Sequence, residues 1–145
     1  MYKTILHATD LSENHYNLCQ QAVKLAQCFK ASLHFLHVIE TPASLQWAQS
    51  LGFAELATPV KDDAITTMAT LGEALNIPLA HQHVEVGSAY SHILNKANEL
   101  NCDLIIIGSH SRHSLPPFLG SSFLGSTANT IVHHAPCAVL TLKAE

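Results

Sequence analysis

Residues Leu104–Leu142, LIIIGSHSRHSLPPFLGSSFLGSTANTIVHHAPCAVLTL, decide the architecture. The stretch opens on four consecutive branched apolar residues, Leu104 to Ile107, closed by Gly108. A run this short and this continuously apolar reads as a strand buried on both faces. A Gly/Ser/Pro-rich segment continues to Gly125, and Ser126 or Thr127 then starts a helix through Ile131 to His134. Ala138 to Leu142 (AVLTL) reads as the last strand. Strand, crossover and strand in this order imply a parallel pair joined by a right-handed connection.

Toward the amino terminus the same alternation repeats. Gly87-Ser88 turns into a helix with Tyr90, Ile93, Leu94, Ala97 and Leu100 inward, and His81 to Val86 (HQHVEV) precedes it as a third strand. A helix is predicted from about Val60 to Leu75, with Val60, Ala64, Met68, Leu71 and Leu75 on one face and Asn76 and Pro78 as its stop. Glu40 to Ala54, with Pro42 and Gly52, reads as a loop with a short helix around Trp47. Leu33 to Ile39 is the second strand and Thr4 to Ala8 the first, ended by Thr9-Asp10. Asp10 or Ser12 can cap the helix in which Leu18, Ala22, Leu25 and Phe29 recur at helical spacing. The β-α-β-α-β-α-β-α-β order makes an α/β chain with a parallel sheet and helices on both faces. No linker-like stretch divides it, so one domain over 1–145 is expected. In such sheets ligands sit beyond the carboxyl ends of the strands, where the strand order reverses.

Composition narrows the function classes. Of the 145 residues 48% are apolar and only 12% charged, and the formal net charge is −4 with histidine neutral. High hydrophobicity with low charge excludes intrinsic disorder. The absence of a Lys/Arg cluster speaks against a nucleic-acid partner, which needs cations to displace counterions from phosphates. Protonating all 11 histidines would carry the formal charge from −4 to +7, so the surface potential should depend strongly on pH. The four cysteines form no C-x-x-C pair, and Cys19 and Cys28 face opposite sides of their helix. Reduced, mostly buried thiols and a cytoplasmic location are expected. The opening MYKTILHATDLSE does not read as a signal peptide, and no run approaches the ~20 apolar residues of a membrane helix.

The chemistry-bearing stretch is Gly108 to Ser126. Glycine and small hydroxyl residues let backbone N–H groups approach an anion, and the helix starting near Ser126 adds its positive dipole end. Ser126 and Thr127 supply hydroxyl donors and Arg112 a counter-charge. The alternative is a turn-rich loop that caps a helix. Neither G-x-x-x-x-G-K-[ST] nor G-x-G-x-x-G after the first strand occurs, so the common nucleotide fingerprints are absent.

ILHATDLSE at the start, Gly-Ser-His after the fourth strand and LGSTANTIVHHAPCAVLTL at the end resemble the universal stress protein family over essentially the whole chain. With the alternation above, the resemblance implies a doubly wound, Rossmann-like domain whose five-stranded parallel sheet has the order 3-2-1-4-5. Nucleotide-binding members carry G-x2-G-x9-G-[ST], which wraps the ribose and phosphates of ATP. Gly108 matches the first glycine, but Ser111 stands at the second, and thirteen residues instead of nine separate it from Gly125. Phe118-Leu119-Gly120-Ser121-Ser122 followed by Phe123-Leu124-Gly125-Ser126-Thr127 is a near repeat that accounts for the extra length. Gly125-Ser126 is favoured as the helix-start pair, with Gly120-Ser121 as competitor.

The resemblance implies a nucleotide site made by Thr9, Asp10, Val38, Ile107, Gly108, Ser109, Ser111, Arg112, Gly125, Ser126 and Thr127. Asp10 would lie beside the adenine or ribose, and Val38 with Ile107, ending neighbouring strands, would line the base. Gly108 would approach the ribose, and the remainder would surround the phosphates. Serine at 111 would either crowd a phosphate or replace a hydrogen bond. The cofactor implied is ATP, with Mg2+ or Mn2+ on its phosphates, and the partner a second copy of the chain paired through the edge strand Ala138–Leu142.

Among the histidines, His81 and His83 share one strand face with no third ligand evident, so an exposed face is preferred to a metal site. His34 and His37 take opposite faces, His7 reads as a hydrogen-bonded core residue, and His110 and His113 lie in the phosphate loop. No catalytic constellation is present and no catalytic residue is assigned. The main reading is an ATP-binding regulatory module of the stress response, in which nucleotide orders the Gly108–Ser126 loop. A nucleotide-free dimer acting through protein contacts is the second reading, and slow ATP hydrolysis lost in Asp10→Ala the third.

Overall fold

The computed structural model describes residues 1–12, 15–40, 51, 58–109 and 126–143. Five parallel strands, β1 (Thr4–Ala8), β2 (Ser32–Ile39), β3 (Gln82–Val86), β4 (Leu104–Gly108) and β5 (Ala138–Leu142), form one sheet in the order β3-β2-β1-β4-β5. This is the 3-2-1-4-5 order expected. The described helices are α1 (Tyr16–Phe29), α2 (Thr58–Leu75), α3 (Ala89–Glu99) and α4 (Ser126–His134). The Trp47 region lies outside the described residues.

The apolar runs of the central strands serve both faces because successive side chains point opposite ways. Ile5, Phe35, Leu104 and Ile106 pack with Cys19, Ala22 and Ala26 of α1 and Met68 of α2. Leu6, Leu36, Ile105 and Ile107 pack with Ile93 and Ala97 of α3 and Ala128 and Ile131 of α4. Both helix layers are therefore set by alternate residues of the same strands. Two inward assignments from helical spacing do not hold: Val60 and Tyr90 are exposed. Both lie in the first turn of their helices, and buried contacts begin only at Met68 in α2 and Ile93 in α3.

The N-cap position of α1 is His15 rather than Asp10 or Ser12. The helix starts after His15, which makes no side-chain cap, and Asp10 Oδ1 instead accepts the Ser12 amide at 2.8 Å in a local turn. Leu11 inside that turn has φ 63, a left-handed conformation that costs a leucine on the order of 1 kcal/mol. Gly87 at φ 145 ends β3 where a side chain would be strained and would meet His92.

His81 is not part of the third strand but ends a short 3-10 turn, Leu79–His81, ahead of it. Nor is the His81/His83 face exposed: both residues are half-buried, His34 from β2 stacks on His81, and Lys96 of α3 reaches Glu85 of β3. His7 is wholly buried, as expected of a core histidine, and its Nδ1–H donates to Ile106 O at 3.0 Å. Cys19 and Cys102 are buried and Cys137 half-buried, whereas Cys28 is exposed on the far side of α1 from Cys19.

Candidate functional site

The order β2-β1-β4 places the reversal of the winding at β1, and a cavity of about 520 Å3 opens at the carboxyl ends of these three strands. Its floor is Ala8 at the end of β1, whose methyl leaves room that a larger residue would fill. Val38 of β2 and Ile107 of β4 line it from either side. They do not end neighbouring strands, as the sequence reading has it: β1 lies between them. The slot is consequently one strand wider than two adjacent strands would make it.

Six of the residues singled out from the sequence line this cavity: Thr9, Asp10, Val38, Ile107, Gly108 and Thr127. Thr127 brings the first turn of α4 to the rim, and the amino-terminal end of a helix, with its amides and dipole, favours an anion. Thr9 is nearly buried, and its hydroxyl is turned to the Leu11 amide at 3.2 Å and the Cys19 thiol at 3.5 Å. Ser109 does not line the cavity; its amide donates to Leu142 O at 2.8 Å and extends the pairing of β4 with β5. Ser126 begins α4, but its side chain lies outside the described residues, as do Ser111, Arg112, Gly125 and the competing pair Gly120-Ser121.

Several lining residues are not legible in sequence. His15 Nε2 approaches Asp10 Oδ2 at 3.4 Å, so a histidine at the head of α1 faces the acidic residue after β1. His37 Nδ1–H donates to Thr9 O at 2.8 Å, which ties β2 to the residue after β1. Glu40 Oε1 accepts the Ala89 amide at 3.3 Å and so ties the end of β2 to the first turn of α3. Alternating hydrophobicity reveals Ile93 and Ile131 only as core positions. Their second role, as walls, depends on how far each helix reaches past the sheet.

Gly108 stands where a Cβ would meet Leu18 Cδ1 at 3.0 Å and His15 Cε1 at 3.3 Å. The glycine is thus demanded by the packing of α1 as well as by close approach to a ligand. Among the described residues no group of three His, Cys, Asp or Glu side chains is arranged to hold a metal ion. No described helix is long and apolar enough to cross a membrane.

The sequence profile of the universal stress protein family matches residues 1–143. The chain belongs to that family. Universal stress protein A homolog 2 of Coxiella burnetii is 34% identical over 98% of this chain and 95% of its own length. Homolog 1 of the same organism is 32% identical over 97% and 96%. Among solved structures, universal stress protein UspA from Lactobacillus plantarum aligns with a TM-score of 0.66 at 24% identity, covering 97% of both chains. A universal stress protein solved in complex with cAMP aligns with a TM-score of 0.69 at 16% identity, covering 99% of this chain and 98% of that one. At these identities the two structural likenesses show the shared universal stress protein fold.

Proposed function

We propose that this universal stress protein is an adenine-nucleotide-binding regulatory module, with ATP as its ligand. The observation that carries the reading is the cavity at the point where the winding reverses, with an apolar slot on one side and the start of α4 on the other. Val38 and Ile107 would take the faces of the base, which prefers an apolar slot. Asp10 would accept from a ribose hydroxyl. The amides of the first turn of α4 and the Thr127 hydroxyl would receive the phosphates, with Ser126 beside them. Gly108 would approach the ribose, and Ser111, Arg112 and Gly125 would complete the phosphate side, while Ser109, outside the cavity lining, would act only through the β4–β5 pairing its amide extends. A divalent cation, Mg2+ or Mn2+, would neutralise phosphate charge, with Asp10 the acidic group nearest to assist. A fold relative bound to cAMP supports the adenine-nucleotide class.

The proposal treats 1–145 as one cytoplasmic universal stress protein domain that acts by changing its surface for a partner, and as a homodimer paired along β5. Titration calorimetry with ATP and Mg2+ is expected to give saturable one-site binding, weakened at least tenfold in Asp10→Ala. Heat-free titration of the native protein, with no nucleotide in the small molecules released from fresh preparations, would overturn the reading. That outcome would favour the nucleotide-free dimer, the reading supported by Ser111 at the second glycine position and by the lengthened loop.

A further inference from the structure

We propose that His34, His81 and His83 form an acid-sensitive latch, which holds the edge strand β3 to the sheet at neutral pH and loosens it on acidification. The proposal does not depend on nucleotide binding. Three histidines from three different elements meet beside the Lys96–Glu85 pair at the β2–β3 side of the sheet. His34, in β2, is about 9% exposed. Its ring stacks on His81 of the 3-10 turn, with centroids 4.0 Å apart and planes 21° apart. It also lies 5.3 Å from the ring of His83 in β3, at 23°, and its Nδ1 is 3.1 Å from His83 Nε2.

The contact between His34 and His83 requires at least one neutral ring. His81 Nδ1–H donates to Leu33 O at 2.9 Å and so fixes the ring against β2. Between His34 Nδ1 and His83 Nε2 one nitrogen must carry the proton and the other must accept. Protonation of both rings puts two N–H groups face to face, loses the bond and adds charge to the stack. Lys96 of α3 is already cationic and pairs with Glu85 of β3 at 3.4 Å and Glu99 of α3 at 3.2 Å. From β1, the residue beside His34 is Leu6, which contributes no charge.

Burial first, then the charges of His81, His83 and Lys96, pushes His34 down to about 4. His83 is lowered by burial and by Lys96, partly opposed by Glu99 and Glu85. A lowered group binds fewer protons in the closed state than in the open one, so closure is favoured above the ordinary histidine range and disfavoured as pH falls below it. β3 is the element that gives way because it pairs on one side only and none of its five residues is fully buried.

The test is amide hydrogen exchange of the full chain between pH 7.5 and 5.0, with rates corrected for intrinsic pH dependence. Protection of the β3 amides is expected to fall on the order of tenfold or more relative to those of β5, the opposite edge. His34→Leu, which keeps an apolar ring-sized filling, should abolish that difference. Lys96→Met, which removes the fixed cation from the cluster, should reduce it. Equal loss at both edges, or an undiminished β3 loss in these variants, would overturn the latch. Should His34→Leu not fold, Lys96→Met and the wild-type ring titrations by NMR decide the matter. Ordinary, independent titration of His34 and His83 would count against it.

Discussion

His7 sits at the middle of β1 with no exposure, one ring nitrogen bonded to Ile106 O and the other, Nε2, without a hydrogen-bond partner among the described residues. Burial outweighs that bond and holds its pKa down to about 4. The unfolded chain therefore takes up a proton near pH 6.5 that the folded one refuses until about pH 4. Stability linked to His7 is present above that window and lost as pH falls through it, on the order of 3 kcal/mol in full. Urea unfolding of His7→Leu at pH 7.5 and 5.0 is expected to show a smaller acid-induced loss than the wild type. An unchanged loss would mean that His7 is hydrated in the folded state. Gly108 shows a different kind of residue-scale constraint. Its missing side chain accommodates Leu18 and His15 of the α1 segment, so one glycine serves both the helix layer and the proposed ribose side of the cavity.

Each helix is held by a few alternate strand residues, and the consequences differ from helix to helix. α2 makes its fully buried contact through Met68, which joins Ile5, Phe35 and Ile106 on one face of the sheet. The threonines on its exposed side, Thr66, Thr67 and Thr70, return their hydroxyls to carbonyls one turn back and add no grip on the sheet. Met68→Ala should accordingly cost about 2–4 kcal/mol. Thermal unfolding of the variant measures it, and a shift in Tm of less than about 2 °C would show that the cavity collapses without cost. At the other end of the sheet, α4 presents Ala128 and Ile131 to the core while its first turn reaches the site. Packing of its middle is thus what aims its amino terminus.

For the molecule as a whole, burial limits what the histidine count suggests. Eleven histidines imply a charge swing from −4 to +7, but His7 and His34 are held neutral down to about pH 4. The swing between pH 7 and 5 is smaller than composition implies, and part of its cost falls on β3. The sheet has two edges, β3 and β5, and they differ in this respect. β5, built from Ala138, Val139, Leu140, Thr141 and Leu142, carries no charge or proline to discourage pairing with another strand. Light scattering at micromolar concentration is expected to give about twice the 15.7 kDa chain mass, and a mass near one chain would remove the proposed β5 dimer.

Read by itself, the order of short apolar runs and longer helical spacings determined the element sequence, and the bounds of β1, β5 and α4 emerge as read. Local periodicity suffices there because alternate apolar residues leave one buried arrangement for each element. Because functional residues follow strands in a parallel sheet, the sequence also pointed to Asp10 and to the segment from Gly108 to Thr127, whereas Val38 and Ile107 came from the family resemblance; the cavity is lined by Asp10, Val38, Ile107, Gly108 and Thr127. The tertiary structure alone decided that β1 separates Val38 from Ile107, that His15 meets Asp10, and that His34 closes a cluster with His81 and His83. These contacts join residues from separate elements, and no local spacing encodes a distance that arises only when helices and strands pack together.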